Sequence, residues 1–338
     1  MPRNSQDVQQ RGKQGEFINN LIRQLKFKRE DFRTIGTFGG FTSLVDLGNF
    51  AIAFNTDNVG TKSIVAEEMQ KYDTLGVDCI AMNVNDTITS GAEPVAMVDY
   101  VELDRIDPEV ARQLGNGLNV GAQMANITIT GGETSVVPDL VKHLDIAGTV
   151  FGIVQKNQII TGEKIKEGDL IFSLGSSGVH SNGFTTIRKV MKENGVRLHD
   201  TFPGEQKTYG EILLEPTRIY VREIMEILNL VDIKGMANIT GGGLRNITRL
   251  KEMKYIIENP PEPQKIFKEV MNLGNLSVEE MYETFNMGMG FVLIIDPESK
   301  RDLVSTLKNK VQVKEIGVVE NGDGIVVPKL GLEYHGYF

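Results

Sequence analysis

A chain of 338 residues, 40% apolar and 24% charged with 36 glycines, has the balance of an ordinary globular protein and is long enough for two hydrophobic cores. Its net charge of −9 argues against nucleic-acid binding, which needs a basic face, yet leaves room for a nucleotide at one local site. The lone Cys79 fits a reducing compartment, no 18-residue apolar run marks a membrane span, and the polar N-terminus is unlike a signal peptide, so a cytoplasmic enzyme is expected.

Residues 1–35 are polar and charged, and "TFGGFTSLVDLG" then runs from a glycine-bearing loop into apolar alternation. "NFAIAFNT" reads as a strand stopped at Asn-Thr-Asp. Leu75, Cys79, Ile80, Val84 and Ile88 fall at a helical period, and "VAMVDYVEL" is a buried strand. Asp107 and Pro108 supply an N-cap and a first-turn proline for a helix to about Ala125. "ITIT" is a strand ending at Gly131-Gly132, and "DIAGTVFGIV" is another. The polar "QKNQIITGEKIKEGD" reads as a boundary, dividing the chain into domains 1–160 and 161–338. Beyond it, "LIFSLGSSGVHSNGF" is strand, loop and helix start, and "EPTRIYVREIMEILNL" is helical. Ser277 and Glu280 form a capping box, "GFVLIID" is a strand and "PESKRDLVSTLKNK" a helix. "EIGVVENGDGIVV" is a hairpin around Asn-Gly-Asp-Gly. Both halves are α/β, and "ITGGE" at 129–133 finds an echo in "ITGGG" at 239–243.

Chemistry concentrates in a few turns. In "NTDNVGTK", Thr56-Asp57 at a strand end suits a metal, Gly60 admits close ligand approach and Lys62 has the reach for phosphate oxygens. The spacing is not that of a P-loop, and a capped turn with a surface salt bridge fits the same residues. Asp73, Asp78 and Asp86, with Asn85, form a carboxylate set on the next helix. Asp86 lies where an unpaired charge is costly, which favours a metal there, whereas Asp73 also suits an N-cap and Asp78 a solvated face. Glu133 follows Gly131-Gly132 on an expected ligand-facing loop. His180, Ser181 and Asn182 sit between glycines in a loop suited either to cradling an oxyanion or to a tight turn with serine caps. His143, His199 and His335 read as surface residues, and neither zinc spacing nor a serine-hydrolase elbow occurs.

Seven segments in order, "TDNVGTK", "YDTLGVDCIAMNVNDTITSGAEPVAMVDY", "ITGGETS", "DIAG", "GSSGVHSNGF", "NITGGGLRNI" and "ETFNMGMGFVL", closely resemble the phosphoribosylformylglycinamidine cyclo-ligase (AIR synthetase) family over about residues 36–330. The resemblance implies a two-domain α/β (α+β) fold whose N-terminal sheets pair across a homodimer into a central barrel, with a C-terminal α/β domain completing the cleft. It also implies ATP-dependent closure of formylglycinamidine ribonucleotide to aminoimidazole ribonucleotide: ATP phosphorylates the formyl oxygen, the neighbouring nitrogen attacks the activated carbon, and phosphate leaves. ATP and Mg²⁺ are the implied cofactors. Asp57 and Asp86 are then metal ligands with Asp73 a third, and Lys62 reaches the ATP phosphates beside a catalytic His180. Asn58, Val59, Gly60, Thr61, Asn85, Ser181 and Asn182 line the cleft, which Asn238, Thr240 and Asn286 complete. Gly39, Gly40 and Phe41 resemble the family's mobile loop near the nucleotide.

Three positions depart from the family pattern. Asn58 replaces the first glycine of Asp-Gly-Val-Gly-Thr-Lys, a change best tolerated if φ is positive there. Tyr72 stands where many members carry His, and "GGETSVVPD" lacks the usual Glu and Gly. Selenophosphate synthetase, a small-molecule kinase of this superfamily and a non-catalytic nucleotide-binding paralogue are the rival readings. Selenophosphate synthetase generally has a reactive Cys or selenocysteine beside a lysine near the N-terminus, whereas Cys79 lies in an apolar helix.

Overall fold

The structure, a computed structural model, describes residues 16–27, 29–36 and 40–336. Gly39, expected near the nucleotide, lies outside them.

After α1 (residues 16–24), the first half runs β1 (Thr34–Ile35), β2 (Ser43–Asp46), β3 (Phe50–Asn58), α2 (Lys62–Met69), α3 (Asp73–Ile88), β4 (Glu93–Leu103), α4 (Pro108–Ala125), β5 (Thr128–Val136) and β6 (Asp145–Gln155). Its six strands form one sheet in the order β1-β2-β3-β6-β4-β5, parallel only between β4 and β5. One face carries α3 and α4. Among the described residues no element covers the other face, which is apolar, with Phe50, Phe54, Val98, Tyr100 and Ile153 all exposed.

Helix α3 is the centre of the molecule. Every one of its residues except Asp73 and Asp86 is buried, because the sheet, α4 and the second half enclose it. Against α4 it packs backbone to backbone: a Cβ on Gly117 would come within 1.8 Å of the Asp73 carbonyl oxygen, and one on Gly76 within 2.3 Å of the Leu118 nitrogen. Helix α4 begins and ends as its sequence requires. Asp107 accepts from the Glu109 N–H, Pro108 opens the first turn, and Asn126 closes the helix at φ 57°.

The second half comprises β7 (Leu170–Gly175), α5 (Phe184–Glu193), α6 (Tyr209–Leu213), α7 (Val221–Ile227), β8 (Ile233–Asn238), β9 (Lys254–Ile257), α8 (Lys265–Gly274), α9 (Val278–Thr284), β10 (Met289–Ile295), α10 (Lys300–Leu307), β11 (Val313–Glu320), β12 (Gly324–Val327) and β13 (Leu332–Tyr334). Its seven strands are ordered β13-β12-β9-β11-β7-β10-β8. The expected capping box at Ser277 and Glu280 is present on α9.

Four local expectations are corrected. The 315–327 segment is not a hairpin, because β9 inserts between β11 and β12 and pairs with both. The strand over "ITIT" does not stop at Gly131-Gly132 but continues to Val136 as an edge strand on β4. The glycine echo therefore has two structures, since the second pair follows β8 in a turn. Helix begins only at Val221, and residues 215–220 are irregular and largely buried.

Candidate active site

The opening turn of "TDNVGTK" lies where β3 leaves the sheet. Strand alternation sends Asp57 inward toward α3 and sends Thr56 and Asn58 to the opposite face, so Thr56 and Asp57 do not share a site. Asn83 of α3 brackets the Asp57 main chain, accepting from its N–H at 2.9 Å and donating to its carbonyl at 3.1 Å. Asp145 braces the turn, accepting from the Gly60 N–H at 3.0 Å and from Asn58 Nδ2 at 2.5 Å. Gly60 takes φ 66°, the conformation that favours glycine. Asn58 does not: it is the last residue of β3, outside the left-handed region, and its amide is spent on Asp145. Buried Val59 is a packing plug, and Thr61 faces Thr185 of α5 with the two hydroxyls 3.3 Å apart.

Asp86 is where side chains of the two halves meet. Asn238 Nδ2, at the end of β8, donates to its Oδ1 at 2.8 Å, and Asn55 Nδ2 lies 3.4 Å from its Oδ2. Burial pushes the Asp86 carboxyl up to about 7, against the pull of Asn238; the Asp57 charge raises it further, and the Arg249 guanidinium draws it down. Asp57 is itself raised, chiefly by burial, with the Asp145 charge adding. Arg249 stacks over the Phe41 ring, 4.0 Å from its centre, and donates to the Gly40 carbonyl at 2.6 Å. Asn55 also donates to the Phe41 carbonyl at 2.8 Å, while its own Oδ1 is buried and accepts no hydrogen bond. Residues from both halves thus converge on one carboxylate.

Other expected site residues lie elsewhere or are engaged. Asp73 is at the far end of α3, 13 residues or roughly 20 Å along the axis from Asp86, where it pairs with Lys71 and caps the Thr74 N–H. Among the described residues, no three His, Cys, Asp or Glu side chains form a metal-binding group, so the three-aspartate set is not assembled. Lys62 is fully buried, with its ammonium 2.8 Å from Asp78 Oδ2, 3.0 Å from Asp78 Oδ1 and 2.9 Å from the Glu215 carbonyl. Neither a surface salt bridge nor a solvated Asp78 survives. Burial pulls the Lys62 ammonium below its ordinary value, and Asp78 opposes that pull.

His180 is buried at φ 63°, and its Nε2 accepts the Ser177 N–H at 3.2 Å, which places the proton of the neutral ring on Nδ1. Burial, with Lys62 and Arg218 nearby, pushes it down to about 3, so it is neutral at pH 7. Ser181 meets Thr217 hydroxyl to hydroxyl at 2.9 Å. Asn182 approaches Gly241, so the two glycine loops of the second half face each other. Asn286 is saturated by Ser176, Gly178 and Gly288, and Asn85 by Arg218 and Tyr220. The Thr240 carbonyl closes its own turn on Gly243. Gly131, Gly132 and Glu133 lie exposed on β5, and Glu133 accepts from the Thr134 N–H.

Sequence reasoning missed Asn55, Asp99, Asp145 and Arg249. Asp99 flanks Gly148 of β6 on the side opposite Asp57, so both aspartates face α3. A carboxylate inside the apolar run "VAMVDYVEL" was the available signal for Asp99. Arg249 had none, because only the tertiary fold carries it to Asp86.

The two sheets with α3 between them define a class. Residues 41–154 match the N-terminal domain of AIR synthase related protein, and residues 166–329 match its C-terminal domain. Solved structures of the same fold include AaThiL complexed with AMPPCP and TMP, at TM-score 0.66 and 17% identity over 95% of each chain. A thiamine-monophosphate kinase from Stenotrophomonas maltophilia K279a gives TM-score 0.65 and 16% identity, covering 93% of this chain and 96% of that one. Within the class, the phosphoribosylformylglycinamidine cyclo-ligase of Thermoplasma acidophilum is 62% identical over 96% of each chain, and that of Thermoplasma volcanium is 60% identical over the full length of both. The cyclo-ligase of Methanocaldococcus jannaschii is 46% identical over 88% of this chain and 86% of its own. The chain belongs to the phosphoribosylformylglycinamidine cyclo-ligase family.

Proposed function

We propose that the chain catalyses ATP-dependent closure of formylglycinamidine ribonucleotide to aminoimidazole ribonucleotide. The observation that carries the reading is full-length identity of 60% to a relative of that name, together with an acidic corner where both halves converge on Asp86. ATP use is supported by the AMPPCP complex of the structural neighbour and by the acidic corner at Asp57 and Asp86.

The donor set fits Mg²⁺. Two carboxylates of raised pKa and the unbonded Oδ1 of Asn55 are hard oxygens, and magnesium on nucleotide phosphates commonly takes one or two carboxylates and completes its shell with phosphate and water. Asp57 and Asp86 would hold the ion, which when bound neutralises charge on the transferring phosphoryl group. Asn238 orients Asp86, and Arg249 supplies the second positive charge at the corner. The opening turn serves this corner through Asp57 and the backbone of Gly60. His180, neutral and with Nε2 engaged, shapes the glycine-serine loop.

In this reading the domains divide at residues 160/161, and the uncovered apolar face of the first sheet pairs with a second copy to form a homodimer. Among the described residues no helix is long and apolar enough to cross a membrane, and we place the enzyme in the cytoplasm.

The test is ADP release by the purified protein with ATP, Mg²⁺ and formylglycinamidine ribonucleotide, with the aminoimidazole product followed in parallel. Product equal to ADP is expected. ATP binding without turnover would instead favour a kinase-type relative whose acceptor is absent from the assay, or a paralogue that has lost catalysis.

A further inference from the structure

Residues 215–220 are irregular and largely buried, so their main-chain groups need partners that no strand or helix supplies. Three side chains of the first half supply them. Lys62 Nζ donates to the Glu215 carbonyl at 2.9 Å, and Asp78 Oδ1 accepts the Thr217 N–H at 2.7 Å. Asn85 donates to the Arg218 carbonyl at 2.8 Å and accepts the Tyr220 N–H at 3.0 Å. Asp78 and Asn85 are seven residues apart on α3, two turns along one face, so they read the segment in register.

The clamped segment in turn holds the glycine-serine loop. Ser177 Oγ donates to the Pro216 carbonyl at 2.6 Å, Ser181 meets the Thr217 hydroxyl, and the Tyr220 hydroxyl donates to the Gly175 carbonyl at 2.9 Å. Asp86, next to Asn85 on the same helix, carries the opposite wall of the cleft.

We infer that Lys62, Asp78 and Asn85 are positioning residues that set the 176–182 loop of the second half against the Asp57 and Asp86 corner of the first. Lys62 acts on the protein's own backbone rather than on a phosphate. The inference rests on the cyclo-ligase reading for its kinetic consequence, though not for its geometry. A shift of about 1 Å in such a wall can cost on the order of a hundredfold in rate.

The test uses Lys62→Met/Asp78→Leu, which removes both charges together and so leaves no unpaired buried ion, alongside Asn85→Ala. Leu303→Ala, a core truncation on α10, controls for lost stability. In the clamp variants, hydrogen exchange at residues 176–182 is expected to speed up at least tenfold and kcat to fall at least tenfold. Affinity for a non-hydrolysable ATP analogue should stay within twofold. Leu303→Ala, assayed below its melting temperature, should keep its kcat. Unchanged exchange at 176–182 would overturn the clamp, as would a double variant that loses ATP-analogue affinity tenfold while Asn85→Ala behaves as wild type. If the wild-type protein does not turn over, the cyclo-ligase reading fails, and the exchange measurement still decides the clamp.

Discussion

Asp86 shows how one residue joins function to a cost in stability. Its carboxyl, pushed up to about 7 from an ordinary 3.8, favours the folded state below the ordinary value, and that contribution is lost as pH rises through 7. With magnesium chelated and no nucleotide present, Asp86→Asn should match wild type in stability near pH 4 and exceed it by about 2 kcal/mol at pH 8. That is roughly half of what the full shift would carry, a discount taken because Asp86 as a residue is only half-buried. Denaturant unfolding at the two pH values measures it. The same variant should lose at least a hundredfold in magnesium-dependent turnover, and a near-normal rate would remove Asp86 from the chemistry. Asn58 carries a different lesson. Its departure from the family glycine looked consequential in the sequence, but the position is extended and the side chain finds Asp145.

Among the elements, α3 and α4 depend on glycine contacts that side chains cannot replace. Gly117→Ala drives a methyl into the Asp73 carbonyl and should cost about 3 kcal/mol or more, read as a fall in the denaturant midpoint. Gly115→Ala, two residues away with nothing within 4 Å, should instead stabilise by roughly 0.5–1 kcal/mol through helix propensity. If both variants behave alike, packing does not govern this helix pair. Elements bounded by local signals were legible: α4 from Asp107-Pro108, and α9 from its capping box. Residues 215–220 were not, because their apolar spacing imitates a helix while side chains of α2 and α3 claim their main-chain groups. The 315–327 hairpin failed for a related reason. A turn sequence shows where the chain reverses, but not that a strand from 60 residues earlier fills the gap.

For the whole molecule, the face of the first sheet that no described element covers is an unmet demand. Phe54 is 42% exposed and Val98 43%, on a sheet whose other face is closed by α3 and α4. Exposed apolar patches of this kind mark association surfaces. Wild type should run as a dimer in light scattering, and Val98→Asp, which places a charge in the middle of that face, should run as a monomer. A dimer that persists in Val98→Asp would move the interface elsewhere. A cavity of about 780 Å³, bounded by Phe50, Glu93 and Ile153 of the first sheet and by residues within 156–164 and 225–234, is lined by neither Asp57 nor Asp86, so the site is recognised by its chemistry and not by this cavity.

The sequence by itself determined the family, the α/β character of both halves and the acidic corner at Asp57 and Asp86, because these rest on local patterning and on motifs in fixed order. Only the tertiary structure decided what Lys62 touches, that Asp73 is too far from Asp86 to share an ion, and that Asn55, Asn238 and Arg249 gather around one carboxylate. The physical reason is burial. A lysine after a glycine turn can answer to a phosphate or to a buried aspartate, and which of the two it meets depends on what the rest of the chain brings within 3 Å.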